Sequence, residues 1–488
     1  MTGGWGRRGW ALVALLLAAW ALRLPPLVHA PLHPDEALYG SWGLSVGYGQ
    51  DPWLSGSPVD KPPLLLYTLA GSQLLFGHRM GLRLPGLAAG LLTVPLVYAL
   101  AAALFRDHLS PAVAALAVAF APLAVVLSGT GFPDPLMIAL GLAACVAVVR
   151  KHIPLAGVLL GLSFATKQTG LVWLPLSAAI FVLHPGRMRR DRALLSFAGC
   201  FSLVVGLIFA WDAVRVLQGA RSYWQAGITG YGGLRFIRPR ELVPRFQQWL
   251  AAGRYLFASA PIHVLILAGI PAVLWAGLVE RRDSRRPLTY AALVSFLAIY
   301  VLLHWFVAFP VWDRYLLTLV PVLALILGVT VCRVARWAGS GARWVPLGLA
   351  ALLTAFLTVP AVQASAGRYP IARERDRYHG IDDVTAFLAR RPAGTVVYHH
   401  WLGWHYRHAL WEAPLHLAYW PNPEWLARDV QAFGQSGPRF IAFPAWESSA
   451  RVEHHLSDVG YRLATRLTVV GAEGRMLFTV YELVPSPP

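Results

Sequence analysis

A polar stretch between His33 and Leu65 stands out because the chain around it is apolar. It brings together charged side chains that are scarce elsewhere in the sequence: Asp35, Glu36, Asp51, Asp60 and Lys61. An ionised carboxylate at a membrane boundary is costly unless it faces water or a cation. The adjacent acids at 35 and 36 are therefore candidates for a general base or a substrate ligand. The alternative is a pair of exposed loop acids, or a pair that caps the next helix.

The dipeptide Asp60-Lys61 is followed at once by Pro62 and Pro63. Two prolines fix the backbone and remove two hydrogen-bond donors, so the lysine side chain is presented from a stiffened turn. A lysine in that position can bind a phosphate as a point charge. The alternative is a lysine at a helix start whose ammonium group reaches the membrane interface.

Further charged residues lie where other apolar segments begin or end. Asp134 stands between two prolines, where capping of a helix is the plain alternative to a functional role, and both can hold at once. Lys167 lies in a hairpin between two apolar segments and must reach the interface or a polar cavity. Arg314 and Tyr315 begin another apolar segment, and for them a structural role is as good an interpretation as a functional one.

The composition places the chain in a membrane. Of its 488 residues, 57% are hydrophobic and only 14% are charged, whereas about a quarter of residues are charged in soluble globular domains. Hydrophobic runs recur that can cross the ~30 Å core of a bilayer. The net charge of +18 comes from basic residues in short clusters between these runs, which is the pattern of cytoplasmic loops and argues against a nucleic-acid partner.

The sequence predicts an α-helical polytopic protein with about eleven transmembrane helices. The first follows Arg7 and Arg8, and we expect it to be retained with the N-terminus in the cytoplasm. The predicted spans cover residues 11–22, 84–105, 111–127, 136–149, 154–166, 170–183, 193–214, 262–278, 288–303, 316–332 and 344–362. A shorter apolar run, 64–76, is expected to form an interfacial or re-entrant helix.

Basic clusters fall at every second junction between these spans, and the positive-inside rule assigns those junctions to the cytoplasm. The other junctions hold the unusual acids and cations at positions 35, 36, 60, 61, 134, 167 and 314. Topology therefore predicts that these side chains gather on the extracytoplasmic face of a multi-pass cell-membrane protein. The outer loop at residues 28–63 would form the floor of an active site there.

The composition changes at about residue 364, beyond which charges are frequent and no run can span a membrane. We predict a transmembrane domain over residues 1–363 and a small extracytoplasmic domain of α/β or α+β type over 364–488. Residues 381–388 have the pattern of an amphipathic helix, and 395–398, 440–443, 467–470 and 476–483 have the pattern of strands. For the histidines of this region, a structural or acceptor-contacting role is favoured over a metal site: His399, His400, His405 and His408.

Three motifs occur in order along the chain: HPDEALY at 33–39, DKPPL at 60–64 and FPDPL at 132–136. Together they resemble bacterial membrane glycosyltransferases of the protein O-mannosyltransferase and aminoarabinose-transferase kind, which have the GT-C fold. The segments ATKQ at 165–168 and RYLLTLVPVLAL at 314–325 extend the likeness over the membrane part. The chain departs from the aminoarabinose enzymes at Gln168, where glycine is common, and at Thr318, where proline is frequent.

The resemblance implies roles for matching positions. Asp35 would be the catalytic base, Glu36 its neighbour, and Asp134 a second outer acid near the acceptor or the base. Lys61 would contact the phosphate of the donor. Lys167, Arg314 and Tyr315 would lie near the lipid phosphate. Asp60 and Tyr39 would be further site residues within the motifs.

The implied reaction is the transfer of a hexose or pentose from a polyprenyl-phosphate-linked donor to a lipid, glycan or protein acceptor. A lipid phosphate already holds the charge of the leaving group, so metal-independent catalysis without a cofactor is expected, although outer acids can also bind a divalent ion. The alternative from another class is a transporter or lipid flippase, whose charged residues would lie near the bilayer midplane within repeated halves. A non-catalytic relative whose C-terminal domain binds a glycan is a third interpretation.

Overall fold

The computed structural model describes residues 3–105, 107–184, 189–230, 235–279, 285–338, 345–370, 373–471 and 474–487. Helices dominate up to Ser365, and a mixed sheet with short helices follows. The helices of the first part are α1 (Gly3–His29), α2 (Pro34–Gly47), α3 (Pro63–Phe76), α4 (His78–Leu104), α5 (Leu109–Phe120), α6 (Pro122–Ser128), α7 (Pro133–Val149), α8 (Ile153–Thr166), α9 (Trp173–Leu183), α10 (Arg190–Leu217), α11 (Tyr223–Gly230), α12 (Leu242–Gly253), α13 (Ala260–Val279), α14 (Arg285–Phe306), α15 (Leu319–Trp337) and α16 (Val345–Ser365).

Apolar helices long enough to cross a membrane confirm the polytopic class. Six helical stretches qualify among the described residues, and further apolar helices are shorter, including α7 and α8. Short 3₁₀ turns, Gln168–Val172 and Asp313–Thr318, lead into α9 and α15. The predicted spans fall on these helices and on the 3₁₀ turns that lead into them, whereas the number eleven and the orientation of the termini stay predictions. Parts of the predicted basic junctions, at 106, 185–188 and 280–284, lie outside the described residues.

The predicted single span at 111–127 is wrong in one respect, because α5 and α6 are two helices bent by 56°. Pro122 begins α6 and has no N–H to donate to Val118 O one turn earlier. The buried side chain of Arg23 in α1 replaces that donor, since its Nη2 lies 3.2 Å from Val118 O and its Nη1 lies 2.8 Å from Ala119 O. Arg23, which lies within the apolar helix α1, therefore stabilises the break between α5 and α6.

The stretch predicted as a polar outer loop contains a helix. His33 caps the N-terminus of α2, and its backbone N–H donates to Glu36 Oε2 at 3.1 Å while its Nδ1 accepts from Asp35 N at 3.0 Å. The capping interpretation of the two acids is therefore right for Glu36, and Asp35 is left with its carboxylate directed elsewhere. The short apolar run after Pro62 is helical, as predicted, and forms α3.

The C-terminal segment contains a five-stranded sheet with the strand order β2-β1-β3-β5-β4. Its strands are β1 (Val396–His399), β2 (His416–Tyr419), β3 (Arg439–Pro444), β4 (Tyr461–Val470) and β5 (Met476–Pro485), and its helices are α17 (Arg373–Asp376), α18 (Ile381–Ala389), α19 (Gly403–Ala409), α20 (Pro423–Phe433) and α21 (Ala450–Ser457). Strands β2, β1 and β3 are parallel, and β5 is antiparallel to both β3 and β4. Four strands and α18 confirm the predicted elements, whereas the edge strand β2, which lacks buried residues, was not predicted.

Helix α19 joins the C-terminal segment to the membrane part by packing on α2. His408 Nε2 lies 3.0 Å from Gln73 Oε1 in α3, and His405 Nε2 lies 2.9 Å from Leu32 O. Gly40 permits this approach, because a Cβ there would stand 2.5 Å from the His408 ring. The segment that precedes the first motif is thus bound by the C-terminal segment, through the contact of His405 with Leu32.

We expect Arg23→Ala to destabilise the chain by about 3 kcal/mol, since buried carbonyl groups at the α5–α6 break would lose their donors. The measurement is the apparent midpoint of thermal unfolding of the purified full chain in detergent. Arg192→Ala, which removes an exposed arginine from α10, is the matched control and should leave the midpoint unchanged. Equal midpoints for the two variants would contradict this role of Arg23.

Candidate active site

The half-buried carboxylate of Asp35, at the start of α2, pairs with Arg314 in the turn before α15. Arg314 Nη1 donates to Asp35 Oδ2 at 2.8 Å, although the two residues are far apart in the chain. The guanidinium group lies over the rings of Trp312, at 4.1 Å, and Phe132, at 4.7 Å. Aromatic faces on the arginine restrict its rotamers and exclude water, so the pair is held in one place.

Glu36, the adjacent acid, faces away from this pair and is fully buried. Its Oε1 accepts from Arg83 Nε at 3.1 Å and from Gly131 N at 2.9 Å. The Arg83 guanidinium also donates to carbonyl groups of the segment that leads into α2, including Leu27 O at 3.0 Å and Ala30 O at 2.9 Å. These contacts give Glu36 a role in positioning the N-terminus of α2, whereas its predicted place among the catalytic residues stays a prediction.

Lys61 is buried and pairs with the Asp60 carboxylate. The snorkelling alternative is therefore wrong, because the ammonium group points into the protein rather than to the interface. Gln168 Nε2 donates to Asp60 O at 2.8 Å, so the residue at which the chain departs from the aminoarabinose enzymes fixes this turn. Burial lowers the pKa of the Lys61 ammonium and Asp60 opposes that change, while Arg314 lowers it further.

Lys167 and Asp134 form a third buried pair, with Nζ 2.6 Å from Oδ1. Phe132 is the N-cap of α7 and no side-chain cap bond is present there, so the capping alternative for Asp134 is wrong. The ammonium group of Lys167 also lies 4.4 Å from the centre of the Tyr315 ring. Burial lowers the pKa of Lys167 to about 8 against the attraction of Asp134, and the cations Arg314 and Lys61 contribute to the lowering.

The three pairs belong to one site, because electrostatic interactions connect members of different pairs. Lys61 interacts with Arg314 and with Asp35, and Lys167 interacts with Arg314 and Lys61. Tyr39 is buried on α2 and interacts with Arg314 as well. These charged side chains are therefore near enough to influence one another, whereas their role as one site on the extracytoplasmic face stays a prediction. Three cations are balanced by three carboxylates, so an added phosphate must compete with an acid for each cation.

A buried ion pair at the C-terminal end of α10 fixes the loop that precedes Lys61. Arg215 Nη1 donates to Asp212 Oδ1 at 3.1 Å, and the same guanidinium group donates to Leu54 O at 3.1 Å and Ser57 O at 3.3 Å. Asp212 Oδ1 accepts in turn from Tyr223 N at 3.0 Å at the start of α11. The polar outer loop is therefore tied to two helices rather than left free.

A cavity of about 380 Å³ opens beside the Asp35–Arg314 pair. Residues of its wall come from the start of α2, from the N-cap of α7, from α12 and from the turn before α15, and they include His33, Phe132, Gln248, Trp312 and Asp313. A second, more open cavity of about 480 Å³ is lined by Asp60, Arg221 and Thr229. Two cavities thus border the charged site.

The residues missed by the sequence analysis are those that position the three pairs, above all Arg83 and Arg215. Both are arginines within or at the ends of apolar helices, and an ionisable residue in such a place deserves the same weight as one in a loop. The packing of the Arg314 guanidinium group on Trp312 and Phe132 could not be assigned from the sequence.

The four histidines do not form one cluster. His405 and His408 face the membrane part, whereas His400 Nδ1 lies 3.0 Å from Trp420 O and His399 is buried at the end of β1. Among the described residues, no group of three or more His, Cys, Asp or Glu side chains is arranged to hold a metal ion.

Comparisons with known proteins bear on the fold and on the kind of protein that the chain resembles. Residues 60–211 match the family described as dolichyl-phosphate-mannose-protein mannosyltransferase. The undecaprenyl phosphate-alpha-4-amino-4-deoxy-L-arabinose arabinosyl transferase of Pseudomonas paraeruginosa is 28% identical over 448 residues, which are 85% of this chain and 74% of that protein. The structure of ArnT from Cupriavidus metallidurans bound to undecaprenyl phosphate is similar with a TM-score of 0.61 and 17% identity, and the match covers 99% of this chain and 98% of that one.

The chain has the GT-C fold of membrane glycosyltransferases. The oligosaccharyltransferase of Archaeoglobus fulgidus shares this GT-C fold with a TM-score of 0.51 and 14% identity, over 93% of this chain and 69% of that one. The fold class predicted from the three sequence motifs is therefore confirmed. Similarity at this level of identity establishes the fold, and the roles of individual residues have to come from the site.

We expect Glu36→Gln to lower the free energy of unfolding by about 3 kcal/mol, because it leaves the buried Arg83 without its compensating charge. The measurement is the apparent midpoint of thermal unfolding of the purified full chain. Glu412→Gln is the matched control, since the Glu412 side chain is 72% exposed and should contribute little. If the Glu36 variant unfolded at the control's temperature, Glu36 would not position α2.

Proposed function

We propose that this protein transfers a sugar from a polyprenyl-phosphate-linked donor to a lipid, glycan or protein acceptor on the extracytoplasmic face of the membrane. The observation that carries the proposal is the meeting of Lys61, Lys167 and Arg314, three buried cations, at one site beside a cavity. Cations withdrawn from water at the outer level of a membrane suit a lipid-borne phosphate. The relatives named for undecaprenyl-phosphate-linked aminoarabinose support a donor of this class.

The donor phosphate is proposed to lie among the three cations. Each cation is held by a carboxylate, so the site would be neutral before the donor arrives and need not bury net charge. Phosphate oxygens would then replace carboxylate oxygens as hydrogen-bond acceptors, most readily at Arg314, whose partner Asp35 is half-exposed. We also propose an orientation of the chain in the membrane. The N-terminus would be cytoplasmic and the segment from residue 364 onwards extracytoplasmic, which places the three cations on the extracytoplasmic side.

The chemical step exchanges one bond at the anomeric carbon for another. The acceptor hydroxyl or amine attacks that carbon and gives its proton to Asp35, while the bond from the carbon to the phosphate oxygen breaks. The electron pair of the broken bond leaves with the polyprenyl phosphate. Lys61, Lys167 and Arg314 would stabilise the negative charge that grows on the leaving phosphate.

Binding of the donor would also activate the base. Burial alone would raise the pKa of the Asp35 carboxyl, but Arg314, His33 and Lys61 hold the pKa below its ordinary value in the empty site. A carboxylate so strongly stabilised is a weak base. Once phosphate oxygens occupy Arg314, Asp35 loses its strongest stabilising partner and becomes a better proton acceptor. The proposed order is therefore donor first, then proton abstraction.

We expect Asp35→Asn to reduce kcat by about 10²–10⁴-fold while donor binding is kept, because the amide cannot accept the proton but frees Arg314 for the phosphate. The measurement is the release of polyprenyl phosphate from a labelled polyprenyl-phosphate sugar by the full chain, with cell-envelope membranes as the source of acceptor. Asp382→Asn, at an exposed ion pair with Arg79, is the matched control. Turnover near the control's value would remove Asp35 from the role of base.

We expect kcat/KM for the donor to fall above about pH 8, by about tenfold per pH unit, as the free protein loses the Lys167 proton. The sign follows from the lowered pKa: the ammonium form that holds the phosphate is present below that pH and is lost as the pH rises through it. Lys167→Arg keeps the positive charge at every accessible pH and should abolish the decline. A decline at the same pH in both proteins would show that another group titrates.

A further inference from the structure

Helix α12 is seated on the end of α14, which is long and apolar enough to cross a membrane over Pro287–Phe306. The last carbonyl groups of a helix lack partners within it. Here α12 supplies them, since Arg245 Nη2 donates to His304 O at 2.9 Å and to Val307 O at 2.8 Å. Trp249 Nε1 donates to His304 O at 2.9 Å as well. Because the end of a membrane-crossing helix marks the boundary of the bilayer, α12 lies at that boundary.

A second face of α12 is apolar and exposed. Val243, Phe246 and Leu250 are 57%, 45% and 64% exposed, and their spacing places them on one side of the helix. The ring of Phe246 lies 5.0 Å from the ring of Trp305 near the end of α14, and the adjacent Phe306 is exposed too. The apolar face of α12 is therefore continuous with the exposed apolar end of a membrane-crossing helix.

A third face of α12 borders the cavity beside Asp35. Gln248, Ala251 and Ala252 line that cavity. Gln248 and Ala251 are exposed as well, so they lie at its rim. One helix thus carries a wall of the cavity on one side and, on another, an apolar surface that is unfavourable in water.

Two exposed arginines, Arg238 and Arg240, come just before this helix. The backbone that leads to them is paired with the end of α14, because Ile237 N donates to Phe306 O at 2.9 Å. Within the part of the chain that the structure describes, no carboxylate forms an ion pair with Arg240. The two cations are thus held at the level of the membrane boundary, where the phosphate groups of phospholipids lie.

We propose that α12 lies in the membrane interface, with its apolar face among lipid chains and with Arg238 and Arg240 bound to the phosphate groups of anionic phospholipids. Its 12 residues extend about 18 Å, which is too short to cross the ~30 Å core of a bilayer. The partner is a lipid surface rather than a protein, because the apolar face continues the exposed side of α14 and has cations next to it. Lipid on one side of α12 then supports the wall of the cavity on the other.

The inference goes beyond the proposed function and does not rest on it. It concerns where α12 lies and what it contacts, whatever reaction takes place in the cavity. Its failure would leave the three cation–carboxylate pairs and the proposed transfer as they stand, and a chain that transferred no sugar would keep its interfacial helix.

Spin labels on the full chain in nanodiscs test the position of α12. The three native cysteines are replaced by alanine, and single cysteines are introduced by Leu250→Cys, Leu302→Cys and Asp383→Cys. Leu302 is exposed on α14 and gives the lipid reference, and Asp383 is exposed on α18 and gives the water reference. We expect the label at position 250 to be reached by oxygen and to lose most of its accessibility to a water-soluble nickel chelate, as at position 302.

Two results of this experiment would overturn the proposal. A label at position 250 that the chelate reaches as readily as at position 383 would place α12 in water. A label shielded from both oxygen and the chelate would show that a protein surface, such as a second copy of the chain, covers the apolar face.

The arginines are tested by titrating the full chain in a non-ionic detergent with phosphatidylglycerol, and with phosphatidylcholine as the neutral lipid. We expect the midpoint of thermal unfolding to rise more with the anionic lipid. Arg238→Gln/Arg240→Gln should increase the concentration of phosphatidylglycerol that gives half of this rise by about 25-fold, since each arginine near an anionic surface contributes about fivefold. Arg428→Gln/Arg451→Gln, which removes two exposed arginines from the C-terminal segment, is the matched control and should respond like the wild-type protein. The same half-point in all three proteins would overturn the contact with headgroups.

Discussion

The pairing of cations with carboxylates, away from water and at the edge of an apolar helical body, is the constraint on which the rest of this protein depends. Neither a lysine nor an aspartate can be buried alone at such a place without a large loss of free energy. Lys61, Lys167 and Arg314 are therefore each matched by an acid from a different part of the chain or from a neighbouring position. The consequence is a site without net charge, and we propose that its cations become available when the donor phosphate replaces the acids as their partner.

Much of the surrounding structure serves to hold these pairs at a fixed separation. The adjacent acids of the first motif have different surroundings. Asp35 faces the cavity and pairs with Arg314, whereas Glu36 is buried against Arg83 and fixes the start of α2. Arg215 does the same for the loop that leads to Lys61. Ionisable residues in the apolar helices thus stabilise the backbone that carries the charges of the site, instead of taking part in the reaction themselves.

The sequence was sufficient for the class of fold, because that class follows from strong signals. Apolar runs are long, and the scarcity of charge makes each outer acid or cation conspicuous, so that topology alone brought Asp35, Asp134 and Lys167 to one face. It could not tell which carboxylate pairs with which cation, since partners such as Asp35 and Arg314 are joined only by tertiary packing. The break between α5 and α6 depends on Arg23, which is distant in sequence, and the edge strand β2 has no buried residue to mark it.

An experimental structure of the full chain with undecaprenyl phosphate bound tests the exchange of carboxylate for phosphate most directly. The phosphate oxygens should lie about 3 Å from Lys61 Nζ and Lys167 Nζ, with Arg314 turned from Asp35 towards the phosphate. A phosphate bound elsewhere, while all three cation–carboxylate pairs stay intact, would contradict the view that these pairs form the donor site.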